Sequence, residues 1–162
     1  NRLSLAFITA ETDMHTLQNT LLAAAFTALI ATPVLADAVH PAEMTRADIA
    51  GKIFDRPGTV KSEGQGGGEI LDITSLLSSD GKFSSGMYKA GKSRWEITEP
   101  YGVDEFMYFL EGSVTLTSSD GTVQLIEAGE AVTIPKEWTG IWETDGYRKI
   151  WVLYSEDGSA FE

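Results

Sequence analysis

From Glu69 onward the chain is a succession of short apolar or alternating runs, separated by glycine-containing breaks. Valine, isoleucine, threonine and aromatic residues crowd the runs. No long segment repeats its apolar positions at the 3.6-residue interval of a helix. The pattern predicts an all-β domain. Asp80-Gly81, Asp120-Gly121, Asp145-Gly146 and Asp157-Gly158 are candidate hairpin turns, because both central residues of a type I′ turn need positive φ. One hairpin can be specified in full. With Asp120-Gly121 as a two-residue turn, Ser119 faces Thr122, Leu116 faces Leu125 and Val114 faces Glu127. Val114, Leu116, Val123 and Leu125 then share the buried side, and Ile126 is an exception on the polar side.

The run 104–111 has a different pattern. Period two puts Glu105, Met107 and Phe109 on one face and Phe106, Tyr108 and Leu110 on the other. Both faces are apolar, so both need a cover. A barrel interior supplies one; an N-terminal arm or a second copy of the chain supplies the other, and a homodimer is expected. The expected organisation is an upstream segment over 1–36, an arm and glycine-rich loop over 37–69, and a single β domain over 70–162. Residues 37–50 are read as an arm with one helical turn, and Lys61–Glu69 as a flexible loop.

Charge and composition narrow the partners. The net charge of −12 repels phosphate backbones and anionic lipid, which argues against nucleic acid and membrane surfaces. The chain has no cysteine, so disulfides, thiolate nucleophiles and cysteine-ligated zinc are excluded. Read from Met14, the stretch ending at Ala36 has the layout of an export signal. Leu21–Ala31 is its apolar centre and Pro33 follows, with cleavage expected after Ala36 or at the second small-residue site, Ala38. The expected location is therefore periplasmic or secreted, with no membrane insertion after cleavage. Removal of that segment takes His15 and leaves His40 alone, so no Ser–His or Cys–His arrangement can be built.

Residues 86–93, GMYKAGKS, fit the phosphate-loop pattern letter for letter. Such a loop needs a helix behind it, and Pro100 closes that option within two turns. The segment is read as a strand over Met87-Tyr88-Lys89 and a turn at Gly91-Lys92.

Two spacings point to a family. Six residues separate Glu105 from Gly112, and five separate Gly129 from Pro135. Glu137-Trp-Thr-Gly-Ile-Trp142 and Arg148-Lys149 follow. From Gly86 to Tyr154 the chain resembles the cupin superfamily, with particular likeness to the ureidoglycine aminohydrolase-like and ethanolamine-utilisation cupins. The resemblance implies a double-stranded β-helix (jelly-roll) barrel with an internal pocket. It also implies, in metal-binding members, three histidines and the glutamate at 105. Here Glu99 with Tyr101, or Ile97 with Glu99, stand at the first pair's positions, Gly140 stands at the third, and only Glu105 survives.

Glu96, Glu99, Asp104 and Glu105 are acidic neighbours in sequence, but alternation and Pro100 separate them, and no metal or other cofactor is expected. Parity from Gly140 turns Trp138, Trp142 and Thr144 inward. The candidate ligand-binding residues are Glu105, Tyr101, Met107, Phe109, Trp138 and Trp142, for a small polar or cationic molecule. Two alternatives stay open: a metal-dependent enzyme of the ureidoglycine aminohydrolase type, and a non-catalytic structural cupin whose indoles fill the barrel. Glu105 can equally be a structural carboxylate bonded to Tyr101, Arg94 or backbone amides, with Arg94 or Arg148 as its ion-pair partner.

Overall fold

The computed structural model describes residues 38–161; the expected export segment and its cleavage site after Ala36 lie outside them. Seven strands follow a short helical arm. They are β1 (Val60–Glu63), β2 (Glu69–Leu77), β3 (Phe83–Ile97), β4 (Asp104–Ser118), β5 (Val123–Glu127), β6 (Ala131–Ile134) and β7 (Gly140–Tyr154). All pairings are antiparallel in the order β1-β2-β3-β7-β4-β5, and β6 pairs with β4 ahead of β5. Among the described residues no helix is long and apolar enough to cross a membrane.

The three long strands each bend once, and the bends lie side by side. In β4 the inward set changes from Glu105, Met107 and Phe109 to Val114 and Leu116. In β7 it changes from Trp142 and Thr144 to Tyr147, Lys149 and Trp151, and in β3 the change falls beyond Ala90. Gly91 pairs with Gly146, and Gly112 sits beside Tyr147. A Cβ at Gly112 would stand 1.9 Å from the Gly146 carbonyl oxygen, and its φ is 69°. Only glycine meets both conditions at this corner. Corners of this kind let one strand serve both layers of a jelly roll.

The apolar interior is therefore split. One cluster fills the barrel: Met107, Phe109, Val114, Leu116, Ile126, Ile134, Trp142, Tyr147 and Trp151 belong to it. A second lies outside the sheet, where Leu71, Ile73 and Met87 pack against Ile53 and Phe54 of the arm. The arm's helix α1 (Arg46–Ile49) is closed by a reciprocal Thr45–Asp48 cap, and Arg56 bonds Asp48 at 2.6 Å. Arg148 anchors the arm by donating to the Ala50 carbonyl at 2.7 Å and to Glu111 at 2.6 Å. The arm meets Leu110 but leaves Phe106 and Tyr108, on the same face of β4, 43% and 38% exposed.

Four local readings change. The β4–β5 hairpin pairs Val114 with Ile126 and Leu116 with Gln124, one residue away from the two-residue-turn register. Ser118 N–H donates to the Thr122 carbonyl and Gly121 has φ 86°, so the loop has three residues with glycine in the left-handed position. Ile126 is thereby 8% exposed, while Val123 and Leu125 point outward at 61% and 55%. Asp145-Gly146 lies inside β7, at the corner, and makes no hairpin. Gly91-Lys92 likewise lies inside β3, which runs unbroken through the phosphate-loop look-alike with no helix after it. Lys61–Glu63 belongs to β1, leaving only residues 64–68 as the glycine-rich turn.

Candidate functional site

A cavity of about 1000 Å³ opens from the barrel interior, within the range of small-molecule sites. Its charged lining residues are Asp72, Glu105 and Lys149. β4 carries Glu105 inward because it alternates with the apolar Phe106 and starts the Met107–Phe109 inner row. β7 carries Lys149 inward between Tyr147 and Trp151 by the same alternation.

Glu105 and Lys149 form a buried ion pair. Lys149 Nζ donates to Glu105 Oε1 at 2.7 Å, and both residues are 4% exposed. The second carboxylate oxygen accepts the Tyr101 hydroxyl. Lys149 Nζ also meets Met107 Sδ at 2.8 Å and lies over Trp142 at 4.8 Å, Tyr88 at 5.5 Å and Tyr147 at 5.8 Å. The ammonium thus has a carboxylate on one side and aromatic faces on the others, an environment that offsets its desolvation.

Tyr101 is held from both ends. Its N–H donates to the Trp138 carbonyl at 3.0 Å, and its ring stacks on Trp142 with 6.5 Å between centroids. Burial, then the Glu105 charge, pushes the Tyr101 phenol well above its usual pKa. Burial does the same to Tyr147, and it raises Tyr88 to about 12, with Asp72 and Glu105 adding to the effect. On the far wall Asp72 accepts from Trp151 Nε1 at 3.2 Å, and burial raises its carboxyl above the usual range.

Three of the six candidate residues line the cavity: Glu105, Tyr101 and Trp142. Met107 and Phe109 are wholly buried in the packing beneath it. Trp138 does not line it. The residue precedes β7, so strand alternation does not extend back to it, and its indole donates to Ser118 Oγ at 3.0 Å. Gly140 opens no gap between indoles. Its missing Cβ leaves room for the Thr117 carbonyl oxygen and the Trp138 ring, 2.2 and 2.7 Å from where that atom would be. Arg94 pairs with Glu143 and Arg148 with Glu111, so neither reaches Glu105. Tyr101 does.

Lys149 and Asp72 were missed as site residues. Lys149 carried a signal, being a lysine on the inward parity of Trp151. Asp72 carried a misleading one, because Leu71 and Ile73 look like the inner face of β2. They are buried under the arm instead, and Asp72 faces the cavity.

The arrangement bears on the metal that the family resemblance implies. Among the described residues, no three His, Cys, Asp or Glu side chains come together to hold an ion. The Glu105 carboxylate is engaged by an ammonium at hydrogen-bond distance. These residues do not fit a histidine-ligated metal.

Residues 77–150 match the family model described as the EutQ-like cupin domain. These residues form a cupin domain of the EutQ-like group. Ectoine synthase from P. lautus aligns over 67% of this chain and 77% of its own, at 17% identity and TM-score 0.53. A protein of unknown function from Pseudomonas syringae pv. tomato aligns over 59% of this cupin and 43% of itself, at 16% identity and TM-score 0.52. The Clostridium difficile EutQ protein aligns over 59% and 75%, at 22% identity and TM-score 0.46. No curated protein matched. At these identities the two neighbours with TM-scores above 0.5 speak to the jelly-roll fold of the cupin and to nothing finer.

Proposed function

We propose that this cupin is an exported protein that binds a small polar molecule in its barrel without a histidine-ligated metal. The carrying observation is the buried Lys149–Glu105 pair with its Tyr101 contact, opening onto a cavity of about 1000 Å³. The lining adds Trp142, whose ring is shared with Tyr101 and Lys149, and polar groups from Ser93, Thr74 and Tyr88. A cationic ligand is not expected in the aromatic cage, because Lys149 fills it. The metal-dependent enzyme reading is disfavoured by the residue set around Glu105.

The test is a thermal-shift screen of small neutral, anionic and cationic compounds. At least one should raise the melting temperature in a concentration-dependent way, and Glu105→Gln should weaken that rise. Stabilisation by none would leave the structural reading. We further propose that a second copy of the chain covers Phe106 and Tyr108. Sedimentation should give a dimer that Phe106→Glu weakens; a monomeric wild type would refute this part.

A further inference from the structure

Asp72 is the cavity group that the Glu105 cluster leaves unexplained. It sits on β2 opposite Tyr88 of β3, which in turn sits opposite Lys149 of β7. Carboxyl, phenol and ammonium therefore stand in one row across three neighbouring strands, about 4.8 Å from strand to strand. Lys149 leaves the row sideways toward β4, where Glu105 and Met107 hold it. Among the described residues Asp72 belongs to no ion pair. Its one side-chain donor is the neutral indole of Trp151.

The charge count of the cavity follows. Asp72, Glu105 and Lys149 are its charged lining residues, and Asp72 is the carboxyl left without an ion-pair partner among the described residues. A half-buried carboxylate without a cationic partner is costly. Trp151 offers Asp72 only its indole N–H, and the Tyr88 ring beside it already lies against Lys149. We infer that Asp72 is the specificity-determining residue of the cavity and that its ligand carries a small protonated amine. This rests on the small-molecule reading above and narrows its chemical class. The amine would donate to the Asp72 oxygen not engaged by Trp151, and the remainder of the ligand would lie toward Trp142.

The test uses the whole chain and three probes of similar size: ethylammonium chloride, propionamide and sodium propionate, at matched ionic strength. Ethylammonium should raise the melting temperature more than propionamide, and propionate should not raise it. Asp72→Asn keeps an acceptor for Trp151 and removes the unpartnered charge, so the unliganded melting temperature should not fall. The substitution should weaken ethylammonium about tenfold or more, the scale of a lost charge-assisted hydrogen bond. A larger shift with propionamide or propionate, or an equal ethylammonium shift in Asp72→Asn, overturns the assignment while leaving small-molecule binding intact. No shift with any of the three overturns the assignment; a wider screen that also fails removes the small-molecule reading with it.

Discussion

Lys149→Met should destabilise the domain by about 3–5 kcal/mol, measured as a fall in the urea midpoint at unchanged slope. Glu105 is 4% exposed, and Lys149 is its only ion-pair partner among the described residues. Removing the ammonium leaves a carboxylate that is only 4% exposed and that, among the described side chains, Tyr101 alone still bonds. Most of the loss comes from that stranded charge rather than from the pair's own worth, which is small once desolvation of both ions is counted. The double variant Lys149→Met with Glu105→Gln should therefore recover more than half of the deficit. The amide still accepts from Tyr101, and methionine suits the space beside Met107 and the aromatic rings. If the two single variants simply add, the side chains do not interact as described.

Trp142→Ala should cost about 3 kcal/mol, the lower end of what truncating a buried aromatic removes. The indole is 6% exposed, stacks on Tyr101 and supports the Lys149 ammonium at 4.8 Å. The residue lines an existing cavity, so truncation enlarges a space rather than opening a sealed one. The same variant should lose any ligand-induced rise in melting temperature. A cost under about 1 kcal/mol, against that expected range, would mean that the indole is not part of the packing. A loss near 5 kcal/mol with no ligand found would mean that the barrel is filled rather than open.

Much of this was legible in residue order because the first half of β4, up to Phe109, obeys simple alternation. Glu105, Met107 and Phe109 face inward as period two requires, and Trp142 does so in β7. The family motif positions marked Gly112, and the corner explains why glycine stands there. The misreadings have separate physical causes, the first being that alternation says which residues share a face but not what covers that face. In β2 the arm buries Leu71 and Ile73 from outside, so the polar residue between them belongs to the interior. In the β4–β5 hairpin a third loop residue, with Gly121 in the left-handed conformation, moves the register by one and exchanges Leu125 for Ile126 in the core. Trp138 precedes the strand whose parity was extended to it. Lys149 entered only within the Arg148-Lys149 motif of the family resemblance, although adjacent strand residues point to opposite faces: Arg148 to the arm and Lys149 to the cavity.

The central claim is that an ammonium serves Glu105 where metal-binding relatives would hold an ion. Metal analysis by plasma mass spectrometry, on protein purified without chelators, addresses it most directly. The account predicts no transition metal at a stoichiometric level, in wild type and Glu105→Gln alike. One bound equivalent per chain that disappears in Glu105→Gln would contradict it.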